Sequence, residues 1–522
     1  MNKNVKFGLA ALAIIVAGGL LAFGLTRSRP DALIDMATVV NMPDGGFSMS
    51  ARSHSVAGFK ADSTLSFAFG ASTKSKEELD SANKLFKQFE DWTAKLVVED
   101  LKTEEVNLRL AAFSTLSPEE LKELAKEAQI YTGDMPPIDN GDKPEKDQLT
   151  AFGHLGNAVA ATMHRSGKTL ILVGKTEADL LDMASRVINQ PKDLALPDFP
   201  EKTKDLTYRL YATKDFMEQA QDLANSLGAP TALPVTGPAA MPFGDEAIQT
   251  GKVSFTDDSI TIEALNDPKM IKAMGQKDVP PAKQTYLSAG DIALALSASN
   301  PGLPDLDAAK LFGKELADMV GQNLMMMGTN WGEMLDALRG ENTFALSFDG
   351  ANTTVALRSE KLPGGLQNGL NMLTAFFLRP TDATNVEEGD FKGTTGLINL
   401  GLEQAKFGIG KWKDATAVVL GDVKALKAST PYDAAYTTIY VDFPLLWQAL
   451  DHLPAAHNWR QMMVKDNTLV NLLFNLEKFT GSGDAKKATY TLKALPKDKQ
   501  TKVTVEGNID LTLPEPEGPV QN

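Results

Sequence analysis

An unbroken apolar run begins at Phe7 and ends at Leu25, with Lys3 and Lys6 before it and Thr26-Arg27-Ser28-Arg29-Pro30 after it. It holds no ionisable side chain, so none opposes its entry into hydrocarbon. At about 1.5 Å per residue such a run spans roughly 27 Å as a helix, close to the hydrocarbon thickness of a bilayer. It therefore predicts a single-pass signal anchor, amino terminus inside, with the lipid bilayer as its partner and the body on the periplasmic or extracellular side. The alternative is a cleaved signal peptide, for which Ala22-Phe23-Gly24 offers small residues, and which gives a periplasmic or secreted body. Both readings carry everything beyond residue 30 out of the cytosol.

The rest of the chain has the composition of an exported globular body. Of 522 residues, 43% are hydrophobic and 23% charged, ordinary for soluble protein. Cysteine is absent, which excludes disulfides, thiolate metal sites, cysteine nucleophiles and a lipoprotein acylation site. A net charge of −15 opposes nonspecific nucleic-acid binding, because phosphate contacts need clustered cations. The expected partners beyond the bilayer are an envelope protein or an apolar ligand.

Hydrophobic periodicity interleaves strands and helices. Alternation predicts strands over 65–69, 158–164, 169–173, 206–211, 253–255, 260–262, 344–348, 354–357, 397–407, 415–420, 436–441, 487–492 and 502–511, and Ile292, Leu294 and Leu296 alternate in another. Ser75-Lys76-Glu77-Glu78 and Ser117-Pro118-Glu119-Glu120 read as capping boxes, the first opening a helix to about residue 96. Further helices are expected from residue 177, over 215–227, 305–327 and 366–378, and from Pro444. Adjacent strands that form hairpins must be antiparallel. The expectation is thus an α+β fold, antiparallel sheets built from hairpins and covered by helices.

The order of elements also suggests two similar halves. Thr169 to Gly174 resembles Thr416 to Gly421, Asp215-Phe216 resembles Asp442-Phe443, and the alternation at 65–69 resembles that at Ile292. The expected division is a leader over 1–30, a first half over 31–278, a second over 279–513, and a disordered tail over 514–522, with Asp278-Val279-Pro280-Pro281 breaking structure between the halves.

Motifs with a chemical mechanism fail on spacing or context. Gly167-Lys168-Thr169 lacks the earlier glycine of a phosphate loop, since Thr162 stands there, and it falls in a hairpin. Gly408-Ile409-Gly410 lacks a third glycine. His452 and His457 are five apart with Pro454 between them, so they share no helical face, and His54, His154 and His164 are scattered. Ser81 and Lys84 have acyl-serine spacing without the companion motifs. Glu77-Glu78 and Glu119-Glu120 suit helix amino termini, and Asp257-Asp258 suits a turn. Met325-Met326-Met327 and the segment Phe443 to Phe479, with Trp447 and Trp459, read as core.

No catalytic, cofactor-binding or metal residue is assigned, and no cofactor is expected. The leading functional expectation is an exported, membrane-tethered, non-catalytic binding or scaffold protein of a bacterial-type cell envelope. A carrier of an apolar ligand, held between two duplicated halves, and a hydrolase with a dispersed site are the alternatives.

Overall fold

The computed structural model describes residues 36–53, 88–100, 106–139, 147–165, 167–189, 206–213, 246–266, 277–304, 328–362, 383–400, 403–453 and 473–500, with isolated positions at 64, 84, 85, 141, 215, 216, 219, 271, 321, 322 and 325. The chain divides into two compact units, Met1–Met270 and Ile271–Asn522. Strand makes up 50% of the chain and helix 21%, and the strands pair antiparallel. The expected helix-covered α+β architecture is therefore corrected to a mostly-β one.

The reason is clearest between residues 89 and 98. A helix read from its capping box through to residue 96 is, from Phe89 onward, the strand β2 (Phe89–Val98). Trp92, Ala94, Leu96 and Val98 alternate with Thr93, Lys95 and Val97, and the segment is paired on both sides. A neighbour on each edge satisfies its whole backbone ladder, which outweighs a local helical preference.

The amino-terminal unit opens with the short helix α1 (Met36–Val39). Its strands are β1 (Phe47–Ser53), β2, β3 (Val106–Ser114), β4 (Tyr131–Gly133), β5 (Thr150–Leu155), β6 (Ala158–Arg165), β7 (Lys168–Gly174), β8 (Leu206–Thr213), β9 (Glu246–Phe255) and β10 (Ser259–Asn266). They pair in the order β10-β9-β8-β1-β2-β3-β7-β6-β5-β4. Helix α2 (Pro118–Glu127) follows β3, started by the expected capping box of Ser117 and Glu120. Helix α3 (Glu177–Asn189) follows β7 and buries Leu180, Met183, Ala184 and Val187. That i, i+3, i+4, i+7 stripe packs with Met36 and Val39 of α1 on Ala111, Phe113, Ala161, Met163, Leu170 and Leu172. Each large side chain so buried contributes about 1.5–3 kcal/mol of transfer free energy.

The carboxy-terminal unit holds β11 (Tyr286–Ser288), β12 (Asp291–Ala298), helix α4 (Trp331–Arg339), β13 (Asn342–Phe348), β14 (Thr353–Ser359), β15 (Thr384–Glu388), β16 (Phe391–Leu400), β17 (Glu403–Trp412), β18 (Ala415–Leu420), β19 (Lys427–Ser429), β20 (Thr437–Asp442), helix α5 (Phe443–Asp451), β21 (Leu476–Gly483) and β22 (Lys487–Ala494). The main pairing order is β22-β21-β20-β12-β13-β14-β18-β17-β16-β15, and β11 pairs with β19 separately. One core joins Leu287, Ala356, Phe391, Trp412, Ala417 and Val419. On the opposite sheet face Phe443 and Trp447 of α5 pack with Phe474 and Leu476.

Position for position, these two ten-strand orders are the same. The β6–β7 and β17–β18 hairpins both turn through two residues, Arg165 facing Lys168 and Trp412 facing Ala415. Counting outward from those turns, Leu170, Leu172 and Ala111 match Ala417, Val419 and Ala356, and each trio lies in its unit's core. The partner of β12 in this scheme is β1, not residues 65–69, which lie outside the described residues.

Other expectations are revised. The strand predicted over 397–407 is two strands, β16 and β17, paired with each other. Among the described residues β22 pairs with β21; the 502–511 strand expected opposite it lies outside them. The leader at 1–30 and the helices expected at 305–327 and 366–378 also lie largely or wholly outside the described residues. Among the described residues no helix is long and apolar enough to cross a membrane.

Candidate functional site

In the amino-terminal unit, charge concentrates in one row across four strands. Arg209, Ser50, Lys95 and Arg109 stand directly opposite one another on β8, β1, β2 and β3. Lys95 is nearly buried, and its Nζ donates to the Met42 carbonyl at 2.5 Å and pairs with Asp44 at 2.7 Å. Ser48 Oγ donates to Asp44 at 2.6 Å, and Arg209 pairs with the same carboxylate at 3.2 Å. Arg109 pairs with Asp179 at 2.8 Å and Asp182 at 2.5 Å on α3, and donates to the Asn41 carbonyl at 3.3 Å. Arg186 donates to the Thr38 carbonyl at 3.3 Å.

This row works as a fastener. It holds α1 and the chain that follows it against the sheet. Burial by itself raises the Asp44 carboxyl, but hydrogen bonds from Lys95 and Ser48 and the charges of Lys95 and Arg209 outweigh it and hold the group below the ordinary carboxylate value. Asp179 and Asp182 behave alike: burial pushes them up, and Arg109, Thr176 and Arg186 outweigh it and hold them below the ordinary carboxylate value. The cations and carboxylates neutralise one another, so the row offers no open valence for a substrate.

The carboxy-terminal unit carries a different feature. Ile439, Leu296, Phe344, Leu357, Val418 and Ile409 stand in direct register across β20, β12, β13, β14, β18 and β17. Leu296 is 40% exposed and Leu357 38%. The neighbouring row, with Leu294, Leu346 and Val355, is covered by Leu445, Leu446 and Ala449 of α5. Matching positions in the amino-terminal unit are Trp92, Ala112 and Ile171, and there Ala112 is 0% and Ile171 4% exposed. Trp92 is half-buried, so equivalent backbone is closed at Ala112 and Ile171 in one unit and open at Leu296 and Leu357 in the other.

Residues weighed in the sequence fall into structural roles. Gly167, at φ +75°, makes the β6–β7 turn, and Lys168 and Thr169 open β7. Gly408 to Gly410 lie inside β17. His154 and His164 sit on β5 and β6, and His452 caps α5, its Nδ1 2.9 Å from the Gln448 carbonyl and its ring against Phe348. Lys84 is exposed, and Ser81, His54, His457 and Trp459 lie outside the described residues. Asp257 accepts from Thr64 at 2.8 Å, and Asp258 from Thr256 at 2.9 Å. Met325 is exposed, whereas Trp447 is core as expected. Among the described residues no trio of His, Asp and Glu could hold a metal ion. The open leucine row was missed because each strand shows its alternation but not its neighbour.

No protein-family model and no curated protein matches this sequence. Among solved structures, crystal form III of TP0453 aligns at 10% identity with a TM-score of 0.28, covering 47% of this chain and 89% of that one. Crystal form I of TP0453 aligns at 9% identity with a TM-score of 0.24, covering 47% and 87%.

Proposed function

We propose that this chain is an exported, membrane-tethered, non-catalytic binding protein of a bacterial-type cell envelope, built from two copies of one ten-strand module. The observation that carries the binding role is the open row through Leu296 and Leu357. Large apolar side chains in line on a sheet face, beside a row its own helix covers, are what a docking surface for an apolar group requires. The apolar run ending at Leu25 supports the tether. The shared strand order and the matched core positions support duplication, with one copy keeping its row closed and the other having opened it.

Two measurements test this reading. A reporter fused at the carboxyl end is expected to be active only outside the cytosol; activity confined to the cytosol refutes export. The apolar dye 1-anilinonaphthalene-8-sulfonate is expected to bind, and the Leu296→Asn/Leu357→Asn double variant to lose about two-thirds or more of the signal, since two half-open leucines supply about 1–2 kcal/mol. An unchanged signal removes the binding role from this face.

A further inference from the structure

We propose that the open row of the carboxy-terminal unit holds the acyl chain of an anionic lipid, with the headgroup at Lys392 and Lys411. This deepens the binding reading above and rests on it.

The first support is shape. From Ile439 to Val418 the row crosses five adjacent strands before it closes at the buried Ile409, and at about 4.8 Å per step that stretch is roughly 19 Å long. One leaflet of a bilayer is about 15 Å of hydrocarbon deep, so the row accommodates a whole acyl chain lying across the strands. It is one side chain wide. Helix α5 covers the row on one side. On the other side the next row is polar, with Asn342, Ser359 and Thr416 in register. A single extended chain fits that strip better than a broad protein surface does.

The second support is charge. The same polar row continues through Thr416 to Lys411 and Lys392, which face each other directly on β17 and β16. Like charges placed opposite each other on a sheet repel. Lys392 has Glu387 at 3.4 Å. Lys411 Nζ donates to the Thr416 hydroxyl at 3.1 Å. The protein as a whole carries −15, so a cation pair beside the end of an apolar strip stands against the prevailing charge. An anionic headgroup placed there meets two ammonium groups and relieves their repulsion, while its chain covers Val418, Leu357 and Leu296.

The third support is the other unit, where Ala112 and Ile171 are buried at the matching positions. Exposure of the row is therefore not a requirement of this strand order.

The test uses the full chain in phosphatidylcholine vesicles carrying a trace of phosphatidylglycerol with a diazirine in its acyl chain, or the same label on phosphatidylcholine. After illumination, adducts are mapped by peptide mass spectrometry. The expected adducts fall at Leu296, Phe344, Leu357 and Val418, about tenfold more with phosphatidylglycerol. Leu296→Asn/Leu357→Asn is expected to cut labelling about tenfold with either lipid. Lys392→Gln/Lys411→Gln alters only exposed side chains and so keeps the fold; it is expected to abolish the preference for phosphatidylglycerol. Equal labelling by the two lipids, or adducts confined to other strands, overturns the proposal. A photo-crosslinking residue at position 357 separates the two readings. A protein adduct without lipid adducts overturns the lipid and leaves the binding role, whereas adducts of neither kind overturn both.

Discussion

Lys95 shows how one residue ties sequence, packing and attachment together. It lies at the centre of the β8-β1-β2-β3 cation row and is 7% exposed in its side chain. Replacing it by Met leaves Asp44 with fewer donors, and breaking such a partly buried pair costs about 1–3 kcal/mol. Urea unfolding is expected to show this loss, with Lys95→Met/Asp44→Leu recovering part of it. The same carboxylates fix the acid response. Asp44, Asp179 and Asp182 are held below the value of 3.8 they have when unfolded. Their stabilisation is therefore complete above that value and is lost as pH falls through the lower folded values. Stability measured against pH is expected to fall off less steeply in acid in the Asp179→Asn variant. Little of this row was legible in the sequence. Residue 95 fell within a helix expected to run to about residue 96, and only the pairing of β1, β2, β3 and β8 puts these cations in line.

At the scale of elements, the legible features were those set within a few residues. The hairpins at Gly167, at Asp257-Asp258 and over 350–352 were readable, since a two- to four-residue turn between alternating runs leaves few alternatives. The capping box of α2 was readable for the same reason. The β16–β17 turn was not, because no Pro or Asn-Gly marks it and the apolar pattern runs on. Strand β21 ends in Gly481-Ser482-Gly483 and hides its alternation. Two element-scale predictions follow from capping and turn geometry. Asp442 caps α5 by accepting from the Leu445 amide at 3.1 Å, so Asp442→Ala is expected to cost about 1 kcal/mol in thermal or urea unfolding. Gly290, at φ +100°, leads from β11 into β12, and a Cβ there meets the Phe348 carbonyl. Gly290→Ala is expected to destabilise by about 2 kcal/mol or more, through both backbone strain and that clash.

For the whole molecule, the two units share a strand order but not a surface. The sequence showed repetition at Thr169 to Gly174 and Thr416 to Gly421, where an identical hairpin imposes an identical pattern. It could not show which rows are covered, because covering depends on chain that crosses the sheet far from the strands concerned. The notion of a helix-covered fold failed for a related reason: amphipathic capping signals were counted as helix where long-range pairing made strand. One unit keeps its apolar row closed at Ala112 and Ile171, and the other presents it at Leu296 and Leu357. Carbene footprinting of the full chain tests this most directly, since it labels accessible apolar side chains in place. Strong labelling of Leu296 and Leu357 with protection of Ala112 and Ile171 is the predicted result, and equal labelling of the two rows contradicts it.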